Sequence, residues 1–235
     1  GLASLPTGAT WPQIAAIGLD RAVQLVPICN HASTAALAAV VLANAPPRFA
    51  LAGLSMGGIV AMEILAQAPE RVERLALLDT NPCAERPEVQ ACRQPQIDAV
   101  RAGGLEAVMR DEMKPNYLCD SPKKREILNL CMEMALALGP EVFVRQSLAL
   151  RDRPDRQEVL RLCKVPTLIL CGASDRLCPP ERHRKMHQLI PQSDLEIIDG
   201  AAHLPTLEQP ERTTAAMIAW LRDCVPNSAS TASRA

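Results

Sequence analysis

Short apolar runs of strand length alternate with longer segments of helical spacing along this chain, and few architectures accommodate that rhythm. Parallel strands need a crossover of a dozen or more residues between them, most readily a helix. The strand-length runs are Ala22 to Ile28, Arg48 to Leu54, Arg74 to Asp79, Pro166 to Cys171 and Leu195 to Ile198. Ser33 to Ala43 and Met56 to Ala68 carry helical spacing between them, the second stopped by Pro69. Pro180 to Leu189 and Leu207 to Arg222 follow the last two runs in the same way. The expected fold class is α/β, a mostly parallel sheet with flanking helices.

The rhythm breaks between Pro82 and Lys164. There Gln90 to Ala102, Leu105 to Met113, Pro122 to Leu138 and Glu141 to Arg151 read as helices, and nothing reads as a strand. Residues 82–164 are therefore expected to form a helical cap insertion between two parts of one core, 1–81 and 165–225. The methionines of the insertion, Met109, Met113, Met132 and Met134, suit either an apolar lid over a substrate pocket or plain core filling. Residues 226–235 are mostly Ser, Ala and Thr, with too little apolar bulk to pack, and are expected to be a disordered tail.

Composition narrows the partners. The chain has 235 residues, 48% of them hydrophobic, which suits one large buried core. A formal net charge of -1 with scattered Lys and Arg offers no basic stripe to neutralise phosphates, so nucleic acid is excluded. The longest apolar run, Ala35 to Ala45, is too short to cross a bilayer, and no charged-then-apolar leader opens the chain. A cytoplasmic protein with no membrane partner, monomeric or homodimeric, is the expectation. Nine cysteines without a C-x-x-C spacing read as reduced thiols rather than a disulfide framework or a metal site.

The chemistry centres on Gly53-Leu54-Ser55-Met56-Gly57, a G-x-S-x-G pattern at the junction of an apolar strand and a helix. A serine in that sharp turn holds its hydroxyl clear of the sheet, and the glycines remove side chains that would collide with strand and helix. The N–H of Met56, at the start of the helix, is placed to donate to a developing oxyanion. Serine needs a base, because its hydroxyl is protonated at neutral pH. His203 follows the last strand, at the same carboxyl edge as Ser55 where open parallel sheets bind ligands. His31 is the rival base. His183 and His187, four apart on a charged helix, are expected to face solvent, although that spacing also suits a metal. The imidazole in turn needs a carboxylate to set its tautomer. Asp175, just past the penultimate strand, gives the chain order Ser, Asp, His; Asp79 is the rival, and Asp199 is expected to support its turn.

Several segments together resemble the α/β-hydrolase superfamily, and within it the small carboxylesterase-like pimeloyl-carrier-protein methyl esterases. They are Gly53-Leu54-Ser55-Met56-Gly57-Gly58, Leu75-Ala76-Leu77-Leu78-Asp79-Thr80, Val165-Pro166-Thr167-Leu168-Ile169-Leu170-Cys171-Gly172 with Asp175, and Gly200-Ala201-Ala202-His203 followed by Glu208-Gln209-Pro210. The resemblance implies a catalytic triad of Ser55, Asp175 and His203, with residues 82–164 as the cap. Leu2 matches the position of the second oxyanion donor, beside Met56, and Trp11-Pro12-Gln13 follows much as in the family. The family's strands before that donor have no counterpart here, so N-terminal strands are expected to be missing. The implied activity is hydrolysis of a carboxylic ester of a small or medium acyl group through an acyl-enzyme, with no cofactor and no metal. The same triad also serves thioesterases, C–C hydrolases, lyases and perhydrolases, and a non-catalytic small-ligand-binding protein would keep the fold.

Overall fold

Four of the five strand-length runs pair into one parallel sheet, as β1 (Phe49–Leu54), β2 (Val72–Leu78), β3 (Thr167–Gly172) and β4 (Asp194–Ile198), in the order β1-β2-β3-β4. The computed structural model describes residues 12–113 and 117–222, and the side chain of Met113 lies outside that description. Leu2, Trp11 and the tail 226–235 also lie outside the described residues. Leu51 pairs with Leu75, Leu77 with Ile169 and Cys171 with Ile197, and the two central strands are buried and apolar over Leu75–Leu78 and Leu168–Cys171. Both faces are covered, which is the condition under which such unbroken apolar strands are stable.

Alternate residues of one strand serve different cores. Leu75, Leu77 and Ile169 point to the layer formed by the helices Thr34–Asn44, Met56–Gln67 and Pro180–Leu189, meeting Leu37, Met62, Ile64 and Met186. Ala76, Leu78, Leu168 and Leu170 point the other way, to Trp220 and Leu221 of the helix Pro210–Leu221, with Ile17 of the helix Pro12–Gly18 alongside. Each fully buried Leu or Ile of these layers contributes about 1.5–3 kcal/mol of hydrophobic stabilisation.

The run Ala22 to Ile28 is not a strand. It joins no ladder among the described residues, and Val23 and Leu25 are exposed while only Val26 and Ile28 reach the core. Pro27 deprives the run of a ladder donor, and its apolar composition alone does not supply a partner. The expected helix from Leu207 to Arg222 is divided into Pro205–Glu208 and Pro210–Leu221, because Pro210 has no N–H to continue the first turn.

Between β2 and β3 the described residues form no strand. The helix Pro87–Ala99 runs into residues 100–113, which wind partly in wide π-type turns around Gly103, and the helices Lys124–Leu138 and Pro140–Arg151 follow, separated by Gly139. This segment has a small core of its own, made of Ile97, Val100, Leu105, Val108, Met109 and Val144 with Met132 against it. Met109 and Met132 thus fill that core, and Met134 is buried as well. Leu118 and Ile127 join the segment to Leu204 and Leu54, the neighbours of His203 and Ser55. No single described helix is long and apolar enough to cross a membrane.

Candidate active site

The turn after β1 is strained, and contacts on all sides hold it. Ser55 has φ 53° and ψ -117°, a conformation L-residues avoid at a cost of about 1–3 kcal/mol. Its N–H donates to Leu78 O at 2.8 Å, and Thr80 Oγ1 donates to Ser55 O at 2.8 Å, so β2 grips the turn from both ends. A Cβ on Gly53 would lie 2.3 Å from Gly57 O, and one on Gly58 would lie 2.6 Å from Thr80 Cγ2. Glycine at 53 and 58 is what lets strand, turn and helix approach this closely. Met56 opens the helix Met56–Gln67, so its N–H has no intrahelical carbonyl to receive it and stands at the positive end of the helix.

Three side chains that are far apart in sequence meet at this turn. His203 Nε2 lies 2.9 Å from Ser55 Oγ, and His203 Nδ1 lies 2.9 Å from Asp175 Oδ2. A carboxylate only accepts, so Nδ1 carries the proton and the lone pair of Nε2 faces the serine hydroxyl. Asp175 is buried, and its other oxygen accepts from Leu177 N–H at 2.8 Å and Cys178 N–H at 3.0 Å. Burial pushes this carboxyl up, but the bond to and charge of His203, with those two backbone donors, outweigh it and hold Asp175 below the usual range.

The rival carboxylate has a different task. Asp79 is wholly buried, with φ 43°, and Oδ1 accepts from Gly172 N–H at 3.0 Å, tying the ends of β2 and β3. Among the described residues no N–H or O–H donor reaches its Oδ2. Burial first, and then the neighbouring Asp175 charge, raise the Asp79 carboxyl well above its ordinary range, which favours the protonated form, able to donate to Asp175. Asp199 is exposed at its turn, and His31 is half-buried in the loop before the helix Thr34–Asn44.

His183 does not face solvent, contrary to what its charged helix implies. It is fully buried; Nε2 accepts from Thr80 N–H at 3.1 Å and Nδ1 lies 3.3 Å from Pro179 O, a contact in which Nδ1 must carry the proton. Burial pushes its pKa down to about 4, so at neutral pH it is an uncharged strut beneath the β2 loop. His187 turns to Ser193 Oγ at 2.8 Å, so the two histidines hold separate partners and form no chelating pair. The periodic pattern around 183 is dominated by Arg and Lys, which hid a polar residue that belongs to the interior.

Two contributors were missed outright. Glu208 accepts from the backbone on both sides of His203, and His203 N–H itself donates to Tyr117 O at 2.9 Å, with the Tyr117 ring centroid 5.8 Å from the imidazole. The helical segment is thereby fastened to the loop of His203. Glu208 had a signal, its place five residues after His203; Tyr117 had none beyond its being the one tyrosine. Cys178 also lies here, buried, with Asn81 Nδ2 at 4.0 Å from Sγ; burial and the Asp175 charge push its thiol up to about 12, so it is no rival nucleophile.

A parallel sheet bearing a serine on a strained strand-to-helix turn, bonded to a histidine and an aspartate from later loops, defines a class of protein. The chain belongs to the α/β-hydrolase family, whose model, described as "Alpha/beta hydrolase family", matches residues 3–216. It is 30% identical over 197 residues to the pimeloyl-[acyl-carrier protein] methyl ester esterase of Klebsiella pneumoniae subsp. pneumoniae, covering 76% of this chain and 71% of the relative. Among solved structures it resembles a thermophilic esterase from Thermogutta terrifontis, malate bound, with TM-score 0.80 and 30% identity over 90% of this chain and 83% of that one. The enol-lactonase from Burkholderia xenovorans LB400 shares the fold, with TM-score 0.77 at 23% identity, covering 90% and 85% of the two chains.

Proposed function

We propose that this protein is a serine hydrolase that cleaves carboxylic esters of small or medium acyl groups through an acyl-enzyme. The observation that carries the reading is the continuous chain of two 2.9 Å contacts from Ser55 Oγ through His203 to Asp175. In the forward step the Ser55 oxygen attacks the ester carbonyl as its proton passes to His203 Nε2, and Asp175 stabilises the imidazolium. Negative charge on the former carbonyl oxygen is met by Met56 N–H and, by the family resemblance, by Leu2 N–H. His203 then gives its proton to the departing alkoxide, and water repeats the sequence in reverse to release the acid. No metal or organic cofactor enters any of these steps.

Residues 82–164 act as the cap, fastened at Tyr117 and Leu118 to the serine and histidine loops, and set which acyl chain reaches Ser55. The likeness to a pimeloyl-[acyl-carrier protein] methyl ester esterase and to a thermophilic esterase supports an ester over other acyl derivatives.

The reading is tested with p-nitrophenyl acetate and butyrate and a fluorophosphonate probe. Ser55→Ala is expected to lower turnover by about 10³-fold or more and to abolish labelling, with the fold retained by circular dichroism. Equal rates for Ser55→Ala and the parent protein would reject it.

A further inference from the structure

The mechanism above leaves one buried thiol beside the triad unused. Cys178 Sγ, an Asp175 carboxylate oxygen and a His203 ring nitrogen all lie within 4.8 Å of one another, and all three residues are buried. Thiolate, imidazole and carboxylate are the donor set that zinc takes, at about 2.0–2.3 Å from the metal, which in a tetrahedron puts ligand atoms roughly 3.3–3.8 Å apart. Small movements of three side chains from their present separations would reach that geometry. The nitrogen available to such an ion is Nδ1, since Nε2 faces Ser55 and Nδ1 faces Asp175.

We propose that Asp175, Cys178 and His203 form an inhibitory site for a thiophilic divalent cation of the Zn2+ or Cd2+ type, which shuts down the Ser55 centre by capturing Nδ1 of its base. The site follows from the three side chains alone; that its occupation is inhibitory rests on the proposed function. The cation accepts electron pairs from Asp175, Nδ1 and Sγ. The Cys178 thiol loses its proton to solvent, and the Nδ1 proton passes through solvent to Nε2. The imidazole remains neutral, but its lone pair no longer faces Ser55, so the hydroxyl has no base. Water fills the fourth position of the ion. The cation is an external ligand and serves no step of hydrolysis.

The experiment uses the full chain with ZnCl2 or CdCl2 as the probe. Cys178→Ala, with Cys178→Val as the second variant should the first be unstable, removes the sulfur while keeping the backbone N–H that Asp175 accepts. Bound metal per chain is measured by equilibrium dialysis in the Ser55→Ala background, alongside the ultraviolet cadmium–thiolate band, and inhibition is measured on p-nitrophenyl butyrate. The expected result is one fewer tight Zn2+ per chain, a weaker cadmium band, and an inhibitory Zn2+ concentration raised about tenfold or more, each variant's inhibition being read against its own metal-free rate. Equal stoichiometry in the parent and Cys178 variants overturns the site. Equal sensitivity of turnover to Zn2+ overturns the inhibitory role. If the parent protein hydrolyses no ester, the dialysis and the cadmium band still decide the site, so the two readings fail separately.

Discussion

Glu208 accepts hydrogen bonds from the two residues that bracket His203, Ala202 N–H at 2.8 Å and Leu204 N–H at 3.2 Å, both to Oε2. Its other oxygen takes Cys119 N–H at 2.9 Å, from the segment that also supplies the Tyr117 carbonyl to His203 N–H. One carboxylate thus fixes the loop of His203 and fastens the helical segment between β2 and β3 to it. Truncation leaves buried N–H groups without acceptors, each at a cost of about 1–3 kcal/mol. Glu208→Ala is expected to lower kcat by roughly 10- to 100-fold, because displacing the imidazole by an ångström is enough to do so. Glu208→Gln, which keeps one acceptor oxygen, is expected to recover part of the loss. A folded Glu208→Ala protein with the parental kcat and KM on p-nitrophenyl butyrate would remove the positioning role.

The three glycines around Ser55 are not equivalent, although the sequence presents them alike. A Cβ at Gly57 meets nothing within 4 Å, whereas one at Gly53 or Gly58 meets backbone or Thr80 well inside contact distance. Gly57→Ala is expected to keep activity and to gain up to about 1 kcal/mol, since alanine is the better helix former. Gly53→Ala and Gly58→Ala are expected to lose expression or at least tenfold in turnover, about 1.4 kcal/mol or more in the barrier. Thermal melts and turnover of the three single variants check the contrast, which fails if Gly57→Ala is the worst of them.

This contrast marks what the amino-acid order makes legible. Periodicity finds β1 to β4 and the helix Pro180–Leu189 because each buries an apolar face whose spacing is local. The loops carrying Ser55, Asp175 and His203 follow from where those strands end. Ala22 to Ile28 has strand composition without a strand partner, and pairing is a property of the whole sheet that no local pattern carries. His183 sits among Arg and Lys, so its burial depends on Thr80 N–H, 103 positions away, and Glu208 depends on backbone donors rather than on its own neighbours.

Burial beside Asp175 makes the contribution of Asp79 to stability depend on pH in a definite direction. An Asp79 carboxyl raised by burial binds a proton in the folded chain at pH values where the unfolded chain, near pH 3.9, has lost it. The folded state is therefore progressively penalised as pH rises above about 4 toward the raised folded value. Asn has the shape of the neutral acid, can accept from Gly172 N–H and can donate to Asp175. Asp79→Asn is expected to raise Tm at pH 7 by a few degrees, about 2–4 °C for each kcal/mol, and to gain little near pH 4. A Tm at pH 7 lowered by more than that, with the fold intact, would show that Asp79 is ionised there.

His183 carries the opposite sign. Its folded pKa is pushed down to about 4 while the unfolded chain titrates near 6.5, so between those values the unfolded state binds the extra proton and stability falls as pH falls. The full effect of this one residue is on the order of 3 kcal/mol across the window. His183→Gln removes the titration while its side-chain oxygen can still accept from Thr80 N–H, the contact that His183 makes at 3.1 Å. Because Asp79 acts in an overlapping window with the contrary slope, the comparison belongs in the Asp79→Asn background. There, urea unfolding at pH 7, 6, 5 and about 4.5 is expected to show a steep loss with His183 and a shallow one with Gln. Parallel slopes would mean that His183 already takes up its proton in the folded protein, and the neutral strut beneath the β2 loop would have to be abandoned.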